Sequence, residues 1–477
     1  MAGQKIAAVI LAAGKGTRMR SNLPKVLHTI GGLPLVHYPV RHAQTLKAER
    51  TVVVVGHGAE LVQNDLDAAF SSACVYAHQT QQRGTGHALM VGMEALKRFS
   101  GQVLVLSGDV PLLRLSTVKK LVRLAAKKGS AGSVLSMIPP DPTGYGRVIR
   151  NKRGQVTGIV EHKDCQPEQL EINEVNAGIY CFSSKFLKRS LKRLGTNNAQ
   201  GEYYLTDLIE IAEQVGQTMH GLVVEDSIEV LGANNRAQLA ELEAALRARR
   251  CEELMKSGVT IIDPATTYIG VDVKVGRDTI IQPGVHLRGH TKIGKACEID
   301  TGSVITNGTL ADRVLVKPHT VIEDARLQAD VQIGPFARLR PGAKLMKGSK
   351  VGNFVEMKKT TLGKGAKASH LTYLGDSEIG AGANIGAGTI TCNYDGYGKH
   401  KTDIGDGVFV GSNSTLVAPL KIGKNSYVAA GSTLTNEVSK DSLVLGRARQ
   451  TEKVGRAIHI RKRASDAAQA AKKSSKK

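Results

Sequence analysis

Between Leu11 and Lys25 the chain reads LAAGKGTRMRSNLPK. Gly14 and Gly16 let a backbone come close to a phosphate and expose amide N–H groups, while Lys15, Arg18 and Lys25 bring three cations to the same stretch. The chemistry is phosphate binding, yet the spacing is neither GxxxxGK[ST] nor the dinucleotide fingerprint, because Met19 stands where a third glycine would be. A second segment, SGDVP (Ser107 to Pro111), puts Asp109 directly after the apolar run VLVL. A carboxylate at a strand end in a domain that handles phosphate suits Mg²⁺, which takes one or two protein oxygens and the rest from phosphates and water. The third is His370, whose imidazole can serve as a general base near neutral pH.

These residues need elements to hold them. Residues 1 to 230 alternate apolar strand-like runs (IAAVILAAG, TVVVVG, CVYAH, VLVLSGD) with amphipathic helical stretches near 34–46, 59–69 and 85–98. That alternation predicts a mostly parallel α/β sheet with crossover helices, whose ligands bind at the carboxyl ends of the strands. Residues 235–256, NRAQLAELEAALRARRCEELMK, have apolar residues at helical spacing and predict one long helix linking two domains.

Beyond it an aliphatic residue recurs every six positions: Ile269, Val275, Ile281, Leu287, Ile293, Ile299 and Ile305. The frame returns at Leu315, Val321, Leu327, Ile333, Leu339, Leu345 and Val351, then at Ile404, Val410, Leu416, Ile422, Val428 and Leu434. Two places before the members of the first run stand Val273, Thr279, Val285, Thr291, Cys297 and Ser303, and turns are expected at glycines such as Gly270, Gly276 and Gly294. Residues two apart share a face of a strand, so each hexad offers a small-x-aliphatic inward pair, the pattern of a parallel β-helix. Coils of about 18 residues stacked at about 4.8 Å would make residues 259–446 a column roughly 50 Å long. The frame falters at 352–374, around His370, and is interrupted by 386–403.

Composition bounds the partners. The 477 residues carry a net charge of +23, part of it in residues 461–477, where seven Lys or Arg face one Asp; that end is expected to be disordered. The rest suits an enzyme of polyanionic small molecules. With 4% aromatics, no Trp and no recognised nucleic-acid module, nucleic acid is not the expected partner. Six cysteines without paired spacing argue against a disulfide framework or a zinc site, and the opening MAGQKIAAVILAAGKG has too short an apolar run for a secretory or membrane segment. A cytoplasmic location and no transmembrane segment are expected.

Further motifs then carry a resemblance. HQTQQRGTGHA (78–88), TGYGR (143–147), GIVEHKD (158–164), NAGIY (176–180), GEYYLTD (201–207) and GANNR (232–236), with the two segments above, look like the sugar-nucleotide pyrophosphorylases. Joined to the hexads, residues 5 to 452 resemble the bacterial bifunctional N-acetylglucosamine-1-phosphate uridyltransferase and glucosamine-1-phosphate acetyltransferase family. The resemblance implies an α/β nucleotidyltransferase (Rossmann-like) domain, 1–234, followed after the linker helix 235–256 by a left-handed parallel β-helix of hexapeptide repeats, 257–452, with 453–477 as a basic tail. It implies acetylation of glucosamine 1-phosphate by acetyl-CoA, then uridylyl transfer from UTP with release of pyrophosphate, in the supply of peptidoglycan and lipopolysaccharide precursors.

By the same resemblance Arg18 and Lys25 clamp phosphates, and Asp109 with Asn234 holds Mg²⁺. Leu11, Ala12, Ala13, Gly14, Lys25, Gln79, Gln82, Gly84, Thr85, Gly146, Glu161, Asn176 and Asn234 match the nucleotide-sugar contacts. In the second half His370 is the implied base, Arg340 and Lys358 are implied to hold the sugar phosphate, and Tyr373, Asn384 and Asn393 to orient the amine and the carbonyl of the acetyltransferase substrates. Ala387, Asn393, Tyr394, Ser412, Ala430 and Arg447 match the coenzyme A groove. Columns of this family pair as trimers, which implies a homotrimer. Ser107 departs from the family, where an aromatic is expected. Two other readings compete: a pyrophosphorylase whose β-helix serves assembly alone, and a non-catalytic subunit of the kind that reuses this domain pair in translation initiation. The second has no need of Arg18, Lys25 and Asp109 together.

Overall fold

A computed structural model describes residues 5–474. The chain divides into two units, one running to Lys274 and including Ile281–Thr291, the other made of Val275–Ile280 and the chain from Lys292 onward.

The first unit is built on a nine-stranded sheet. Its order is Cys74–His78, Arg50–Val55, Ile6–Ala12, Gln102–Ser107, Val175–Ser183, Ser130–Met137, Thr218–Val223, Val156–Val160 and Arg147–Arg150. The first four are mutually parallel, as the strand–helix alternation predicts. Val175–Ser183 runs antiparallel to both its neighbours and brings the NAGIY motif into the middle of the sheet. Helices α1 (His37–Thr45), α2 (Ala59–Phe70) and α4 (Leu115–Ala125) cover one face; α3 (Thr85–Glu94) lies on the other with Ser184–Ser190 and Asp207–Gln214. Both faces are covered, so the central strands are apolar without alternation, and Ala7 to Ile10 and Val52 to Val55 are fully buried.

The linker helix forms as Arg236–Lys256, with the Asn235 side chain accepting from Gln238 N at its start. It does more than connect. Leu242 and Leu246 are buried with Ile30, Leu35, Leu112 and Ala233, and Glu243 Oε2 accepts from Gly31 N at 2.7 Å.

The second unit is a parallel column of strands two or three residues long, interrupted by two nine-residue strands, Lys350–Lys358 and Lys367–Gly375. These two run side by side through the stretch where the hexads falter, pairing Asn353 with His370 and Glu356 with Tyr373. The small inward residues are buried as expected, from Val273 at 2% exposed to Ser303 at 0%. Gly276 and Gly294 are not placed by a positive φ; a Cβ on Gly276 would lie 2.5 Å from the Gly294 carbonyl oxygen, so the stacked backbone excludes a side chain.

The frame needs correction at Leu315 and Val321, which face outward, half-buried, while Val314, Val316 and Ile322 fill the interior. The coil is one residue short there: Glu298 pairs with Leu315 and Val304 with Val321, whereas Arg326 pairs with Lys344, the full 18 on. The inward series therefore steps by five from Ile305 to Leu310 and from Ile322 to Leu327. From Ser377 to Thr402 the pairing partner lies 25 residues on, because that coil carries the inserted loop.

A second correction concerns the basic tail. Arg456–Ser474 is a helix, every described side chain of it exposed, where disorder was expected. Its alanines make the backbone preference for helix outweigh the lack of any packed face. Residues 475–477, part of the same expectation, lie outside the described residues. No described helix is long and apolar enough to cross a membrane.

Candidate active sites

Three loops leave the carboxyl ends of parallel strands of the sheet and meet over it. They carry Leu11–Lys25, Gln79–Thr85 and Ser107–Asp109. Leu11, Ala12, Ala13, Gly14, Lys25, Gln79, Gln82, Gly84, Thr85, Ser107, Asp109 and Glu202 line one cleft of about 310 Å³.

Charge is concentrated at one end of it. Lys25 Nζ donates to Asp109 Oδ2 at 2.5 Å and to Asn234 Oδ1 at 3.5 Å, and Arg18 Nη2 donates to the same Asn234 oxygen at 2.9 Å. The pair Lys25–Asp109 is about five-sixths buried on both sides. The GANNR segment is fixed there by its backbone, Ala233 N donating to Asp109 O at 3.2 Å, and Arg236 Nε reaches the phosphate loop at Met19 O, 3.2 Å. Two oxygens, Asp109 Oδ2 and Asn234 Oδ1, thus converge on one cation. That donor set fits Mg²⁺, which needs few protein ligands.

A further group is assembled around Asn176, whose Nδ2 donates to Tyr180 OH at 2.7 Å while its Oδ1 accepts from Gly178 N at 2.9 Å. Glu161 accepts from Thr206 Oγ1 at 3.2 Å, and burial pushes its carboxyl above the ordinary range. Burial, with Glu210 beside it, also raises Asp207, to about 6. Ser107 Oγ donates to Gly178 O at 3.3 Å, so the residue that departs from the family ties the cleft wall to the NAGIY strand.

Sequence reasoning missed Arg147. It is 2% exposed and its Nη1 donates to Pro142 O and Tyr145 O at 2.7 and 2.6 Å, fixing the loop that ends in Gly146. The sequence shows only an arginine closing TGYGR; its burial, which demands specific acceptors for the guanidinium, is visible in the fold alone.

In the second unit the expected residues fall along a line. Asn353 and His370 are paired across neighbouring strands; the corner continues through Ala387, whose carbonyl accepts from Asn413 N, and Ser412, whose carbonyl accepts from Gly431 N beside Ala430. Stacking every 17, 25 and 18 residues turns distant sequence positions into one edge. His370 Nδ1 lies 2.8 Å from Asn353 Oδ1, a partner the sequence did not single out. With Nδ1–H donating to that oxygen, Nε2 keeps its lone pair.

Around the next corner stand the cations. Arg340 Nη1 donates to Glu356 Oε1 at 2.9 Å, and Lys358 is held below its ordinary range chiefly by the neighbouring Lys399, with Arg340 adding to it. Lys399, also missed, sits in the inserted loop, bridged to Tyr394. Tyr373 OH and Asn393 Nδ2 converge above Gly375, 2.5 and 2.7 Å from where its Cβ would be, and Asn393 Nδ2 donates to Asp376 Oδ2 at 2.5 Å. Asn384 lies on the strand row of Lys367 and Phe409, the other side of the His370 corner from Tyr373. Arg447 is exposed beyond the last coil.

The fold and the first cleft define a nucleotidyltransferase joined to a hexapeptide-repeat transferase. Family models agree, a nucleotidyl transferase over residues 7–228 and a bacterial transferase hexapeptide (six repeats) over 272–307 and 401–436. The chain is 48% identical over 460 residues to the bifunctional protein GlmU of Pelobacter propionicus, covering 96% of this chain and 100% of that one. It is 49% identical to that of Trichlorobacter lovleyi (94% and 97% covered) and 48% to that of Geobacillus thermodenitrificans (94% and 96%). The chain belongs to the bifunctional GlmU family.

Proposed function

We infer that this chain is a bifunctional transferase, a glucosamine-1-phosphate acetyltransferase and an N-acetylglucosamine-1-phosphate uridyltransferase. The observation that carries the reading is the presence in one chain of both constellations, Arg18–Lys25–Asp109–Asn234 and His370 with the Arg340–Lys358–Lys399 cations. The domains would be 1–234 and 257–452.

In uridylyl transfer an oxygen of the sugar phosphate attacks the α-phosphorus of UTP and pyrophosphate leaves. The protein's part is to position reactants and neutralise charge. Arg18 and Lys25 would take the phosphates, Gln79, Gln82, Gly84 and Thr85 the base, and Gly146, Glu161 and Asn176 the amino sugar. Asp109 and Asn234 would hold Mg²⁺, which when bound neutralises phosphate oxygens.

In acetyl transfer the amine of glucosamine 1-phosphate attacks the thioester carbonyl of acetyl-CoA, and the coenzyme A thiolate leaves. His370 Nε2 would take the proton that the amine loses, Asn353 holding the ring by Nδ1. Arg340, Lys358 and Lys399 would bind the phosphate, while Tyr373, Asn384 and Asn393 orient the amine and the carbonyl. Ala387, Asn393, Tyr394, Ser412, Ala430 and Arg447 would line the coenzyme A groove.

His370, Ser412 and Ala430 stand exposed on one edge of a single chain. A homotrimer in which a neighbouring column covers that edge would enclose the site. Free cysteines and the lack of a described membrane-crossing helix support a cytoplasmic enzyme. The test is to supply glucosamine 1-phosphate, acetyl-CoA, UTP and Mg²⁺ and look for UDP-N-acetylglucosamine. Free coenzyme A without nucleotide sugar, or no coenzyme A at all, would defeat the bifunctional reading.

A further inference from the structure

Gln79 is 5% exposed and lines the nucleotide cleft. Its amide nitrogen has two partners, Gly84 O at 3.2 Å and His87 Nδ1 at 3.1 Å. The Gly84 carbonyl is not free to turn, because it opens helix α3 and accepts from Ala88 N at 3.2 Å. Nor can the residue be replaced in place: Gly84 has φ 98°, and a Cβ there would lie 2.6 Å from Tyr203 O.

A carbonyl oxygen can only accept, so the Gln79 nitrogen must face it; the reverse orientation would set two oxygens against each other. Nδ1 of His87 must then accept as well, which puts the ring proton on Nε2. Both N–H groups of the amide are used, and what Gln79 presents to the cleft is Oε1, an acceptor.

Uracil carries a ring donor at N3, and cytosine carries a lone pair at the same atom. An acceptor held toward that edge attracts the first and repels the second. We propose that His87 is a positioning residue for base selection: it locks the Gln79 carboxamide as an acceptor and thereby makes the cleft favour uridine over cytidine nucleotides. This rests on the uridylyl-transfer reading and deepens it.

The full-length protein is assayed with UTP and with CTP as His87→Phe, which keeps a ring against Tyr203, and as His87→Asn, which restores an acceptor. His87→Phe is expected to raise KM for UTP about tenfold, the scale of one lost hydrogen bond to a buried amide, and to narrow the UTP-to-CTP preference by a similar factor. KM for N-acetylglucosamine 1-phosphate and the acetyl transfer rate should stay as they were, and His87→Asn should recover most of the loss.

An unchanged preference in His87→Phe would overturn the proposal, as would equal damage in both variants with a lowered melting temperature. Gln79→Ala separates the two levels. If it leaves KM for UTP unchanged, the assignment of this cleft to the base is wrong; if it raises KM while His87→Phe does not, the lock alone is wrong.

Discussion

The two sites are built by opposite means. In the first unit, three loops at strand ends close over a sheet and bury a Lys25–Asp109 pair within one chain. In the second, a repeat sets His370, Ala387, Ser412 and Ala430 on an open edge, and no loop of the same chain needs to fold back except the insertion carrying Asn393 and Lys399. Sheet-end sites gain their geometry from convergence, whereas the column gains it from translation. Damage in the first should therefore spread among coupled charges, and damage in the second should stay local.

The contrast can be broken most sharply at His370. His370→Ala should lower acetyl transfer by about 10²–10⁴-fold, the range for loss of a general base, with uridylyl transfer unchanged; coenzyme A release and nucleotide-sugar formation measured on the same sample decide it. A fall in both would mean the sites are not independent. Asp109→Asn should lower uridylyl transfer by about 10²-fold or more and leave acetylation intact, because Lys25 loses its charged partner in the cleft. Arg147→Lys should raise KM for the sugar phosphate about tenfold with little change in KM for UTP, since an ammonium cannot hold both Pro142 O and Tyr145 O as the guanidinium does.

The smallest effect concerns Glu161. Its carboxyl, raised by burial, takes up a proton at a higher pH than an ordinary glutamate. KM for the sugar phosphate should then begin to climb, as pH falls, earlier than an exposed carboxylate would allow. Glu161→Gln should flatten that limb in a pH series; a limb that persists would assign it to another group.

What the sequence disclosed follows the same divide. Lys25, Asp109 and Asn234 were readable because each sits in a motif at a strand end or a domain seam. Arg147 was not, because its role lies in two backbone carbonyls that no motif spells out. In the column, the period of six was plain, yet Leu315 and Val321 were set on the wrong face. Coils of 17 and 18 residues are mixed, and an aliphatic residue on either side of the slip keeps the pattern looking unbroken. Asn353 and Lys399 escaped for a further reason: stacking, not local spacing, makes them neighbours of His370 and Lys358. The terminal helix Arg456–Ser474 was missed because charge was weighed and alanine content was not.

The helix Arg236–Lys256 has a bearing on how the protein can be cut. Leu242 and Leu246 fill the space beside Ile30, Leu35 and Leu112, Arg249 Nη1 donates to Leu112 O at 2.7 Å, and Arg236 holds Met19 O. A fragment ending at residue 234 would leave that apolar surface bare and the phosphate loop unlatched. A fragment ending at residue 256 would carry its own seal. The seam that separates the two units as foldable pieces lies one helix downstream of the seam that separates the two activities in sequence.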